Sequence, residues 1–127
     1  MEKSVVKTSK APLPIGPYNQ GIIASGKMLF LAGQIAIDPA TNAVVDGDCM
    51  VQTRRICENI GAVLQEAGAT FDNVVKTTVF LKDMNDFSAM NGVYGEYFAK
   101  NSPARSTIQV ARLPRDVSVE IEVIAVL

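Results

Sequence analysis

The sequence predicts a single α+β domain over residues 1–127, with about six strands and two amphipathic helices. Three observations carry this prediction. The chain has 127 residues with 48% apolar and 20% charged residues, which is one domain's worth of ordinary globular composition. Two segments have the 3.6-residue apolar period of helices, and several short segments are β-branched and aromatic. No repeat or low-complexity tract interrupts them.

Residues 3–8 read as a short opening strand. Lys10–Tyr18 (KAPLPIGPY) contains Pro12, Pro14 and Pro17, too many prolines for a ladder, and is expected to be an ordered loop. Gly21–Ser25 and Lys27–Ile37 read as strands about a turn at Ser25-Gly26. The second is apolar on both faces and so expects cover on both. Asp38–Gly47 is turn-rich. From Met50 a helix follows, with Ile56, Ile60, Val63, Leu64 and Ala67 on one stripe, Asp46 or Asp48 as cap and Gly68 as stop. Val74–Leu81 is a strand, and Asp86–Lys100 a second helix with a stripe of Phe87, Met90, Tyr94 and Phe98. Ser106–Val110 and Ser118–Leu127 complete the strands.

Two helices can cover only one face of such a sheet. Yet in the last strand Val119, Ile121, Val123 and Ala125 share one face while Ile124 and Val126 share the other with Glu120 and Glu122. A monomer would leave the second face as a large apolar patch, so the sequence implies a homo-oligomer that buries it.

Composition excludes whole classes of chemistry. The chain has no histidine, which removes Ser-His-Asp and Cys-His nucleophile activation, His-based zinc sites and imidazole-driven ribonuclease catalysis. A net charge of −1 and a pI near 5.3 weigh against a nucleic-acid partner. Cys49 and Cys57, roughly 12 Å apart along one helix, are too distant for a disulfide and read as reduced thiols of a cytosolic protein. No signal peptide, membrane span, metal spacing, phosphate loop or cofactor fingerprint is visible.

A few residues remain that could carry chemistry. Arg105 opens an apolar strand and is expected at a sheet edge beside the buried second face, as either an ion pair or a clamp for a carboxylate ligand. Glu120 and Glu122 point to one face roughly 7 Å apart. They are expected to pair with Arg or Lys, or one of them to position a water. Asn91 interrupts the stripe of the second helix and needs a partner, most simply on a neighbouring strand. Tyr18 closes the proline-rich loop. Gly33 in mid-strand allows close approach of a neighbour or marks a bulge.

At these residues the chain resembles the RidA (YjgF) family. The resemblance lies in Ser102–Val126 (SPARSTIQVARLPRDVSVEIEVIAV), IGPYNQG at 15–21, LAGQIAIDP at 31–39 and VVKTTVFLKDMNDFSAMNGVY at 74–94. It implies a chorismate-mutase-like fold, a barrel-like homotrimer with sites between subunits, and hydrolysis of reactive 2-imino acids and their enamine tautomers to 2-oxo acids and ammonia, without cofactor or metal. It implies Arg105 as the carboxylate ligand and Glu120 as the holder of the attacking water, with Tyr18, Gly33, Asn91 and Thr107 lining the pocket. Thr107 stands where the family commonly has cysteine, and Ala32 where it commonly has serine. With no base to activate its hydroxyl, Thr107 is a poor nucleophile, which favours direct attack by water. Some relatives have been described as endoribonucleases or translation inhibitors, and a non-catalytic ligand-binding or chaperone-like trimer is the remaining alternative.

Overall fold

The computed structural model describes residues 2–127. In chain order the strands are β1 (Glu2–Val6), β2 (Gly21–Ser25), β3 (Met28–Gln34), β4 (Ile37–Asp38), β5 (Ala43–Val44), β6 (Val74–Leu81), β7 (Ala104–Gln109) and β8 (Val119–Val126). Helix α1 (Cys49–Glu66) lies between β5 and β6, and α2 (Phe87–Phe98) between β6 and β7. The α+β reading holds. The six longer strands do not form one sheet, however: β3, β8, β6 and β7 make a four-stranded mixed sheet in that order, and among the described residues β1 pairs with β2 in a separate two-stranded one.

The centre of the sheet is β8, antiparallel to both β3 and β6, while β7 runs parallel to β6 at one edge. Alternation then sorts the side chains. Toward the helices point Leu29 and Leu31, Val119 to Ala125 at every second position, Thr77, Val79 and Leu81, and Arg105 and Thr107. These pack with Ile56, Ile60 and Leu64 of α1 and with Met90, Tyr94 and Phe98 of α2 in one core. The other face carries Met28, Phe30, Ile124, Phe80 and Ile108 with Glu120 and Glu122. Phe30 is 67% exposed there and Met28 54%, so the second face is apolar and open in one chain, as its sequence pattern requires.

Asp48 caps α1, its carboxylate accepting from the Val51 amide at 3.1 Å. Val63, expected in the α1 stripe, is exposed. The buried face of α1 instead rotates toward Thr53 and Cys57, where α2 packs. The segment read as one strand over 27–37 breaks at a register shift between Leu31 and Gln34, and Ile37–Asp38 pairs with Ala43–Val44 as a separate ladder. Both cysteines are free and buried. Among the described residues no helix is long and apolar enough to cross a membrane.

Lys3 ties the opening strand to the far end of the sheet. Its ammonium donates to the carbonyls of Asp72, Val74 and Asn101 at 3.1, 2.9 and 2.6 Å.

Candidate functional site

Arg105 sits on edge strand β7, directly beside Thr77 of β6. The edge position agrees with expectation, but the face does not. The parallel register turns Arg105 to the helix side, away from the open apolar face, because Ala104 and Ser106 occupy the positions that point outward. One amino group of its guanidinium donates to Asn91 Oδ1 at 2.7 Å. Asn91 therefore finds its partner on β7, across the core from its own helix.

Three rings surround the guanidinium. Its carbon lies 4.8 Å from the Tyr94 ring centroid, 5.1 Å from that of Tyr18 and 5.5 Å from that of Phe87. Among the described residues Arg105 has no carboxylate partner, whereas Arg54, Arg55 and Arg112 are all ion-paired. Burial lowers the Arg105 pKa from its usual value, with Tyr94 and Tyr18 opposing the shift. An arginine starts far above neutrality, so the cation persists. The result is a half-buried, unneutralised guanidinium held by aromatic faces and one amide.

The proline-rich loop closes this side. The Tyr18 amide donates to the Gly16 carbonyl at 2.8 Å, and the Ile15 amide donates to the Tyr18 hydroxyl at 3.3 Å. Asn19 fastens the loop to the start of β7 through the carbonyls of Pro103 and Ser102, at 2.9 and 2.7 Å. A Cβ on Gly16 would lie 3.0 Å from Asn91 Nδ2 and 3.2 Å from an Arg105 nitrogen. Glycine is what lets the loop backbone come this close to both. A cavity of about 190 Å³ remains, lined by Ile15, Tyr18, Phe87, Arg105 and Thr107. The Thr107 hydroxyl oxygen is buried and has no hydrogen-bond partner among the described residues. Two larger clefts of about 380 and 390 Å³ run along α1. The arginines of the first are bonded to Glu96 and Glu58, so neither charge is left for a ligand.

Glu120 occupies the opposite face of the sheet, beside Phe80. It and Glu122 do share a face, as their spacing requires, but neither is ion-paired among the described residues. Gly33 lies at the bulge in β3, where a Cβ would overlap the Glu120 carboxylate. The bulge and the missing side chain together let the carboxylate lie against the strand backbone.

The structure thus gathers Tyr18, Asn91, Arg105 and Thr107 into one cluster and Gly33 and Glu120 into another, with the sheet between them. Phe87 and Tyr94 escaped the sequence reading as site residues because their apolar stripe accounts for them as core. The signal was present: Phe87, Asn91 and Tyr94 stand at i, i+4 and i+7, one face of α2. Among the described residues no group of three or more His, Cys, Asp or Glu is placed to hold a metal ion.

Comparison with known proteins agrees with this architecture. The profile of the family described as Endoribonuclease L-PSP matches residues 8–127. A RutC family protein of Synechocystis is 57% identical over 129 residues, covering 100% of this chain and 98% of its own. A goat protein named 2-iminobutanoate/2-iminopropanoate deaminase is 45% identical, covering 98% of this chain and 90% of its own. Among solved structures, RidA of an Antarctic Psychrobacter superposes with a TM-score of 0.76 at 35% identity, covering 98% of this chain and 99% of that one. Escherichia coli TdcF, solved with bound serine, gives 0.75 at 42% identity and covers 98% of each chain. The chain belongs to the Endoribonuclease L-PSP family, the RidA or RutC proteins.

Proposed function

We propose that this protein hydrolyses 2-imino acids such as 2-iminobutanoate and 2-iminopropanoate to 2-oxo acids and ammonia, at sites completed where copies of the chain meet. The carrying observation is the Arg105 guanidinium, half-buried without a carboxylate partner beside a small cavity. It is a receptor for one planar anion. The goat relative's name supplies the reaction, and TdcF with bound serine shows a relative holding a small 2-amino acid.

In the proposed reaction Arg105 grips the substrate carboxylate through two parallel N–H···O bonds and fixes the imine carbon. A water held by Glu120 adds to that carbon, and Glu120 accepts its proton. Glu120 returns that proton to the nitrogen of the tetrahedral carbinolamine, which leaves as ammonia while the hydroxyl gives up its proton and becomes the carbonyl of the 2-oxo acid. No metal or cofactor is called for, because a protonated imine is already electrophilic. Thr107 contacts the substrate from the cavity wall and forms no bond to it.

Arg105 and Glu120 lie on opposite faces of one sheet, so one chain alone does not unite them. A neighbour seated on the open face would bring its own Arg105 cluster toward this Glu120. Three copies, the number that the family resemblance implies, would make up such an assembly. The test is ammonia release from both imino acids, generated in situ, at a rate that rises with protein concentration. A rate equal to the spontaneous one overturns the reading. RNA cleavage that survives repurification would favour the endoribonuclease alternative instead.

A further inference from the structure

We propose that Tyr94 is a positioning residue for Arg105: its ring, fixed by a hydrogen bond to Thr77, sets the plane in which the guanidinium faces its ligand. This inference rests on the reading of Arg105 as the carboxylate anchor.

An arginine on an edge strand has four side-chain torsions to settle. Ion pairs usually settle them, and among the described residues Arg105 has none. What meets it instead comes largely from α2. Phe87, Asn91 and Tyr94, at i, i+4 and i+7, all touch the guanidinium. Asn91 fixes one nitrogen and leaves rotation about that bond free. A flat surface beneath the group removes this freedom, and Tyr94 supplies the nearest one, at 4.8 Å.

Tyr94 is itself immobilised on two sides. It is fully buried, and its ring stacks on Phe98 with centroids 4.3 Å apart and planes 20° from parallel. Its hydroxyl lies 2.7 Å from Thr77 Oγ1. Thr77 is also the register partner of Arg105 across β6 and β7. A closed circuit results: strand backbone to Thr77, Thr77 to Tyr94, Tyr94 to Arg105, and back to the strand. A phenylalanine would fill the same core volume. The tyrosine hydroxyl adds a fixed tilt of the ring.

Rings suit this task where a carboxylate does not. A carboxylate beside Arg105 would fix the guanidinium but neutralise it, and the ligand would have to displace it. A neutral ring orients the cation and leaves its charge for the incoming anion. Burial holds the Tyr94 phenol well above its usual pKa, so the ring stays neutral.

The experiment reads Arg105 directly, without ligand. In 15N-labelled protein the Arg105 Nε–H signal is assigned by its loss in Arg105→Lys. The three surrounding rings should shift it and slow its exchange with water. Thr77→Val and Tyr94→Phe, which remove the same hydrogen bond and keep the ring, are expected to move it part of the way toward the position of a free arginine, and Tyr94→Leu, which removes the ring, further. In parallel, 2-oxobutanoate affinity should fall about tenfold in Tyr94→Leu and a few-fold in Thr77→Val, with kcat for any bound substrate changing less than KM. Thr77→Val preserves the core volume and decides the question if Tyr94→Leu does not fold. An unchanged Arg105 signal in folded Thr77→Val and Tyr94→Leu overturns the proposal. If wild type binds no 2-oxobutanoate, the anchor reading fails, while the Arg105 signal still decides whether Tyr94 orients that residue.

Discussion

Arg105 on β7 and Glu120 on β8 flank the same strand, β6, and point to opposite faces of the sheet. Any chemistry that needs both must therefore be assembled from more than one chain.

Arg105→Lys should lower kcat/KM for imino acids by about ten- to a hundredfold while the assembly persists. Lysine keeps the charge but replaces two parallel donors with one flexible one, and it leaves Asn91 and the rings without a planar partner. Steady-state kinetics and sedimentation check this together. Wild-type kinetics in the variant would reduce Arg105 to a structural role.

Gly33→Ala and Glu120→Gln should both lower kcat and leave 2-oxobutanoate affinity near wild type. The first pushes the carboxylate off the β3 bulge, and the second leaves a group that touches water but takes no proton. Misplacing the water should cost about a hundredfold in kcat. Calorimetry with the 2-oxo acid separates binding from turnover. A parallel loss of affinity would place Glu120 on the ligand itself.

Thr107→Val should raise the melting temperature, because it removes a buried hydroxyl oxygen that has no partner. Relief of such a group is worth about 1–3 kcal/mol. KM should rise modestly and kcat stay within about twofold, as expected when uniform binding is lost. A collapse of kcat would make the hydroxyl a participant in bond-making.

Phe30→Asp should dissociate the assembly. Phe30 is exposed on the open sheet face of a single chain, so the charge does not disturb that chain's core. Sedimentation at micromolar concentration reads the result, and circular dichroism checks the fold. Dissociation should also abolish imine hydrolysis, because it parts the two half-sites.

Cys57→Ala should flatten the loss of stability at high pH. Burial pushes the Cys57 thiol up to about 12. Unfolded, a thiol titrates near its ordinary value of about 8.5. Above that value the unfolded chain releases a proton that the native chain retains, so this contribution to stability is complete below the unfolded pKa and is lost as pH rises toward the folded one. Urea midpoints from pH 8 to pH 11 should decline more steeply in wild type than in the variant.

Much of this was legible from residue order. The Ile56–Ile60–Leu64 spacing is helical, the β-branched run at 74–81 is a strand, and Ile124 and Val126 predict a second apolar face that two helices leave uncovered. The face on which Arg105 points was not legible. It depends on the parallel register that sets Arg105 beside Thr77, and pairing partners across some thirty residues leave no local mark. Gly33 showed its exceptional position, but only the fold identifies Glu120 as the group that fills the space. Tyr94 was hidden for a different reason. A ring that belongs to the core and also orients a cation has the same period as one that merely packs.

The position of β8 has a consequence for how the protein is made. It is the central strand of the sheet, yet it follows β3, β6 and β7 in the sequence. During synthesis β3 and β6 both precede β8, which among the described residues is their shared neighbour in the four-stranded sheet. Because β8 pairs with both β3 and β6, the four-stranded sheet cannot close before β8 has joined it. Until then the nascent chain exposes apolar strands on both sides of a gap, the state most vulnerable to capture by a neighbour or a protease.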